Sequence, residues 1–211
     1  MGVMAGTPHV IIIGGPNGAG KSTSAPRVLR GALSVTEFVN ADVIARGLSA
    51  FNPEREAIAA GKIMLRRLDE LAEQRDDFAF ETTLASRSFA PRVRALIDSG
   101  YEFHLLYFWL PSPQMAIERV AGRVRSGGHH VPAETVERRY FGGLGNFFEL
   151  YRPLATTWRM YNNTDPSGAK LVASGGLQSR ERIYRAKEWK TILDLIKRRQ
   201  EGHSPNYGGG D

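Results

Sequence analysis

At 211 residues the chain has the length of one α/β domain with a full core, and its apolar and charged fractions are those of an ordinary globular protein. It holds no cysteine, which excludes disulfides and thiolate metal sites and fits a reducing, cytoplasmic location. The net charge is +6, with arginine far in excess of lysine, a balance that suits an anionic ligand such as a nucleotide, a sugar nucleotide or nucleic acid. No apolar run approaches the roughly 20 residues needed to span a bilayer. The N-terminus lacks the basic n-region of a signal peptide. Position 6 is Gly rather than Ser or Thr, so Met1-Gly2 does not read as a myristoylation site.

In chain order, Val10-Ile11-Ile12-Ile13 is a β-branched run that reads as a buried parallel strand. Gly15 to Thr23 follows, and Thr23 to Leu33 is expected to run on as a helix. Glu37-Phe38-Val39-Asn40 closes a second strand, with Asp42 just beyond it. Pro53 to Gln74 is helical, with Ile58, Ile63, Leu65, Leu68 and Leu71 on its apolar side. Phe78 to Thr82 is a third strand carrying Glu81 near its end. Ser88 to Ser99 is a helix stopped by Gly100, and Phe103 to Leu110 a central strand stopped by Pro111. Helices over 113–125 and 133–151 flank the glycine-rich break Ser126 to Pro132. Trp158 to Asn162 and Lys170 to Ala173 are short strands, Arg180 to Arg199 a basic amphipathic helix, and 201–211 a disordered tail. Alternation of this kind predicts a doubly wound parallel α/β sheet flanked by helices, here a single domain over 1–200 with a lid at about 119–139. In such sheets ligands sit at the carboxyl ends of the strands, where Gly15, Asp42 and Glu81 all fall.

The stretch Gly15-Pro16-Asn17-Gly18-Ala19-Gly20-Lys21-Ser22-Thr23 matches the G-x-x-x-x-G-K-[ST] pattern, between a strand and a helix as the chemistry requires. Its glycines let successive N–H groups converge on a phosphate, and the helix N-terminus adds partial positive charge. Lys21 is placed to meet the β- and γ-phosphates of ATP, and the Ser22 hydroxyl to ligate Mg²⁺. Asp42 is the candidate for orienting an acceptor hydroxyl and taking its proton, although Asp is also a favoured N-cap. Asn40 either bonds the same acceptor or holds the turn. Glu81, costly at the end of an apolar strand without a partner, could hold the Mg²⁺ shell through water or bond the acceptor, or form a structural ion pair. Thr82 and Thr83 could donate to a sugar or phosphate. Arg119, Arg123 and Arg125 before the break, and Arg138 and Arg139 after it, would form a cationic lid that closes on the transition state. With no cysteine and no H-x-x-x-H spacing at His129 and His130, no zinc site is expected.

Two other classes compete. Ser174 to Gln178 is worded like the signature loop of ABC-type ATPases, and Ile192 to Leu195 hints at a Walker B strand, but the latter lies in a helical pattern and lacks the following Pro-Glu. An ABC-like ATPase that dimerises on nucleotide would use that loop. A nucleic-acid-associated ATPase or end kinase would use the basic C-terminal segment, but no base-stacking aromatic platform accompanies it.

Taken together, the chain resembles the zeta-toxin-like P-loop kinases, especially their short chromosomal members. The resemblance rests on the loop at 15–23, Val39-Asn40-Ala41-Asp42, Glu81-Thr82-Thr83-Leu84, Gly127 to Pro132, Arg138-Arg139-Tyr140 and Tyr161-Asn162-Asn163-Thr164, and runs from about Val10 to Gly176. It implies ATP- and Mg²⁺-dependent phosphorylation of a sugar hydroxyl, with UDP-N-acetylglucosamine as the leading acceptor and an antitoxin protein as a potential partner. By the same resemblance Lys21 and Asp42 are catalytic, Glu81 and Thr83 contact substrate, and two catalytic arginines lie among Arg119, Arg123, Arg125 and Arg138. Nucleic acid and membrane partners are not expected.

Overall fold

The fold was analysed in a computed structural model, which describes residues 6–29, 35–125 and 130–200. The first strand, β1 (His9–Gly14), pairs in parallel on one side with β3 (Phe78–Glu81) and on the other with β4 (Glu102–Trp109). Outside β3 lies β2 (Glu37–Val39), and outside β4 lies β5 (Thr157–Asn162), both parallel. Two antiparallel strands, β6 (Lys170–Gly176) and β7 (Ser179–Ile183), complete a seven-stranded sheet in the order β2-β3-β1-β4-β5-β6-β7.

Both faces of the parallel part are covered, which is why β1 is apolar at every interior position rather than alternating. Val10 and Ile12 face one layer and Ile11 and Ile13 the other, and all four are fully buried. The first layer holds α3 (Ala57–Gln74), α4 (Phe89–Asp98) and α7 (Ala186–Gln200), contributing Leu68, Leu71, Val93 and Ile192 to one core. The second core draws on α5 (Pro113–Arg125) and α6 (Ala133–Asn146) through Ala116, Val120, Val136 and Tyr140. The remaining helices, α1 (Lys21–Val28) and α2 (Ala41–Leu48), follow β1 and β2 directly and so begin at the carboxyl end of the sheet. The glycines at 142, 143 and 145 do not interrupt α6. Gly143 packs where a Cβ would strike the Thr83 carbonyl oxygen, so helix and β3 loop touch backbone to backbone. A π-helical turn, Phe147–Tyr151, carries the helix on.

One predicted helix face and one predicted element are corrected. Ile58, Ile63 and Leu65 of α3 are exposed, and its buried side is Ala60, Met64, Leu68 and Leu71, because the helix packs on the sheet along that stripe. Residues 180–199 are not one helix: Ser179–Ile183 is an edge strand and the helix begins at Ala186. The turn at Leu177-Gln178 folds β7 back onto β6, with Ala173 opposite Ile183 and Gly176 opposite Ser179. Every residue of β7 is exposed, and its charged side chains blunt an open sheet edge, so its polarity looked helical while strand pairing decided its state. The sheet is accordingly mixed, with a parallel majority. Ser174 to Gly176 lies within β6, and Ile192 to Leu195 within α7, so neither resembles the ABC features that their wording suggests. The tail at 201–211 and the centre of the proposed lid at 126–129 lie outside the described residues.

Candidate active site

The glycine loop turns between β1 and α1 with Gly15, Gly18 and Gly20 at positive φ of 140°, 78° and 72°. Space as well as conformation demands glycine here. A Cβ on Gly15 would collide with the Phe108 carbonyl oxygen, and one on Gly18 would lie 2.7 Å from the Ala116 carbonyl oxygen. The loop is held from outside by Asn163, whose Nδ2 donates to the Ala19 carbonyl at 2.7 Å.

Lys21, at the first position of α1, is buried. Its Nζ donates to the carbonyls of Gly15 and Pro16, each at 2.9 Å, and lies 3.6 Å from Glu81 Oε1. Burial pulls the ammonium below its ordinary value, while the Glu81 and Asp42 carboxylates oppose that shift. Glu81 ends β3 beside the loop. Its Oε2 accepts from Ser22 Oγ at 2.7 Å and from Asn40 Nδ2 at 2.8 Å. The apolar strand thus ends in a carboxylate with three partners, which offsets its desolvation.

Asn40 has two functions in one side chain. Its Nδ2 binds Glu81, and its Oδ1 accepts from the Asp42 and Val43 N–H groups at 2.8 and 3.3 Å, capping α2. Asn40, not Asp42, is therefore the N-cap. Asp42 stands in the first helical turn with its side chain exposed and lining a cleft of about 540 Å³. The same cleft is lined by Asn17, Gly18, Gly20, Lys21, Ser22, Thr23 and Glu81, and by Arg46, Arg119 and Arg123.

The arginines are distributed unevenly. Arg119 is tied down: Nη1 donates to the Asn163 carbonyl at 2.8 Å and Nη2 to the Thr164 carbonyl at 3.0 Å. That clasp joins α5 to the end of β5. Arg123, one turn later, lines the cleft, and its charge further lowers Lys21. On α6 it is Arg139 rather than Arg138 that touches the glycine loop. Arg139 Nη1 reaches Asn17 Oδ1 at 3.4 Å; burial and the neighbouring Arg138 charge lower the guanidinium, and Asp42 opposes the shift. Arg138 is exposed, and neither it nor Arg139 is among the described residues that line the cleft. Thr83 does not line it either; its Oγ1 accepts from the Ala85 N–H at 3.4 Å within the turn after β3.

Sequence reasoning missed Arg46 and the loop-holding role of Asn163. Arg46 sits four residues after Asp42 on α2, so the two share a helix face, and that spacing was the available signal. Asn163 stood out only as part of the motif at 161–164, with no sign of its role, because its partner Ala19 is 144 positions away.

The AAA domain family matches residues 10–140, a span that holds the loop, Asp42, Glu81, Arg119, Arg123 and Arg139. The chain belongs to the AAA domain family. An uncharacterized protein of Haemophilus influenzae is 30% identical over 128 residues, covering 60% of this chain and 88% of its own. The AvrRxo1-ORF1:AvrRxo1-ORF2 complex with sulphate ions contains a chain that superposes with a TM-score of 0.73 at 15% identity, covering 97% of this chain. This chain spans 66% of that one, about two thirds of its length. The PezAT chromosomal toxin–antitoxin system of Streptococcus pneumoniae gives a TM-score of 0.60 at 16% identity, covering 93% of this chain and 88% of that one. The P-loop domain read from the motifs is thus matched by the AAA family model, and the fold that the zeta-toxin-like resemblance implies by the likeness to the PezAT structure.

Proposed function

We propose that the chain is an ATP- and Mg²⁺-dependent phosphotransferase acting on a hydroxyl of a small, anionic acceptor, through a catalytic unit at 1–200. The observation that carries this reading is the shared cleft: Asp42 faces the same space as Lys21, Ser22 and the glycine loop. The loop N–H groups and Lys21 hold the β- and γ-phosphates. Support for ATP as the donor comes also from a second AvrRxo1-ORF1:-ORF2 structure, determined with ATP, with a TM-score of 0.70.

The metal donor set fits Mg²⁺. Ser22 Oγ and Glu81 Oε2 are hard oxygen ligands side by side, directly or through water, and the ion would keep its remaining sites for water and phosphate oxygens. Bound there, Mg²⁺ would neutralise charge on the β- and γ-phosphates. Asp42 accepts the acceptor's proton as its oxygen bonds to the γ-phosphorus and the bond to ADP breaks. Arg119, Arg123 and Arg139 are the lid cations offered to the transferring phosphoryl, and Arg46 to the acceptor's own negative charge. Thr83 and Asn40 act behind Glu81 and Asp42, in the loop and the cap, rather than on the acceptor.

The family resemblance makes UDP-N-acetylglucosamine the first acceptor to test, and a cytoplasmic setting goes with an ATP-using enzyme. The toxin–antitoxin assemblies among the structural relatives support an antitoxin-type protein partner. The test incubates protein, ATP and Mg²⁺ with UDP-N-acetylglucosamine, and separately with a pool of cell metabolites, and reads products by mass spectrometry. A gain of one phosphate that vanishes in Lys21→Ala is expected. ATP loss with no phosphorylated product would refute the kinase reading.

A further inference from the structure

At the opposite end of the sheet, the first residues of β1 and β4 form a second polar cluster. His9 and Glu102 are register partners, and Ile11 pairs with His104. Side chains alternate along a strand, so His9, Glu102 and His104 all project from the face that carries Ile11, Ile13, Leu106 and Phe108. His9 Nδ1 lies 3.0 Å from His104 Nε2 and 3.7 Å from Glu102 Oε2, and His104 Nε2 lies 3.8 Å from the same Oε2.

We infer that His9, His104 and Glu102 form a binding site for a divalent transition metal of the Zn²⁺ type, separate from the phosphate-binding cleft. Three atoms with these separations have a common point about 2 Å from each, which is the bond length of Zn²⁺ to imidazole nitrogen and carboxylate oxygen. Two imidazoles and one carboxylate match the metal's borderline character. A hard ion such as Mg²⁺ would prefer all-oxygen ligands.

One of the two histidines also has the outer support that a metal-bound imidazole needs. His104 Nδ1 is 2.8 Å from Thr157 Oγ1 on β5, so donating its proton there leaves Nε2 with its lone pair toward His9. The backbone N–H of His9 donates to Asp77 Oδ1 at 2.7 Å, which fixes the start of β1 and brings a further negative charge near. His104 is 12% exposed in its side chain, against 40% for His9 and 44% for Glu102, so the site has an anchored inner ligand and two outer ones. Its solvent side leaves room for water as a fourth ligand. A metal here clips β1 to β4, the two central strands. Along the six residues of β1 it lies roughly 16 Å from the glycine loop at about 3.3 Å per residue, too far to touch phosphate.

The test titrates Zn²⁺ into the metal-stripped full chain by calorimetry, with Mg²⁺ in excess to mask the oxygen ligands at Ser22 and Glu81. One saturable equivalent is expected, with thermal unfolding moving upward as Zn²⁺ is added. His9→Gln and Glu102→Gln alter exposed side chains and should fold; each should weaken binding more than ~10-fold, and Thr157→Val about 10-fold by freeing the His104 ring. His130→Gln should bind as the wild type does. Co²⁺ in place of Zn²⁺ should give visible d–d bands that disappear in His9→Gln. No saturable binding by the wild type, or binding unchanged in both His9→Gln and Glu102→Gln, would overturn the site.

Discussion

Lys21 and Asp42, the two residues proposed to carry the chemistry, can be separated by experiment at the scale of single residues. Asp42 is exposed to the cleft and caps nothing, so Asp42→Asn should leave unfolding and ATP binding near wild type while lowering kcat by about 10²–10⁴. Lys21 is the opposite case, a buried cation whose burial lowers its pKa from 10.5 despite Glu81 and Asp42 beside it. In the window between that lowered value and 10.5, the unfolded chain binds more protons than the folded one, so stability gains with rising pH. Denaturant unfolding of the ligand-free protein should therefore show wild type gaining on Lys21→Met as pH climbs toward 10.5. The reverse slope would mean that Glu81 outweighs desolvation. Arg139, not Arg138, should carry the larger kinetic effect on α6.

At the scale of elements, α2 and β3 depend on one amide. Asn40 closes the N-terminus of α2 and donates to Glu81, so the helix that carries Asp42 is locked to the strand that carries Glu81. Asn40→Ala should cost about 1 kcal/mol for the lost cap, plus a loss at the partly buried Glu81 carboxylate, measured by urea unfolding. Asn40→Asp keeps the cap oxygen but sets a carboxylate against Glu81, so the two variants divide the roles. If Asn40→Ala lowers activity no more than any other 1 kcal/mol destabilisation, the coupling of cap to site is wrong. The Arg119 clasp on Asn163 and Thr164 works likewise, fixing the middle of α5 while Arg123 and Arg125 lie in its last turn.

Across the whole molecule, the antiparallel end and α7 close one face of the core. Trp189 of α7 stacks on Trp158 of β5, with ring centroids 6.0 Å apart and planes 12° apart. Arg152 lies 4.8 Å above the Trp158 ring and pairs with Glu181 of β7 at 2.9 Å. One cation thus joins β5, β7 and α7. Trp189 is 4% exposed, so Trp189→Ala should destabilise by about 3–5 kcal/mol in denaturant unfolding without moving any group in the cleft. The basic residues of the C-terminal segment are divided between an exposed strand edge and a packed helix, so they do not form the continuous helical stripe that their sequence suggests.

The sequence by itself determined what local chemistry determines. The strand, glycine loop and helix at 10–28 were legible because phosphate cradles require glycine at fixed spacing after a buried strand. The carboxylates at 42 and 81 were legible because strand ends in parallel sheets face ligands. Tertiary structure alone decided the rest. Asn40 rather than Asp42 became the cap, since both types cap well and only the backbone geometry chooses. Arg139 rather than Arg138 reached Asn17 of the glycine loop, since adjacent residues on a helix point about 100° apart and no local signal tells which direction is inward. Residues 179–183 became a strand because β6 offered them a hydrogen-bonding edge. His9 and His104, 95 positions apart, met only because β1 and β4 are neighbours in the sheet.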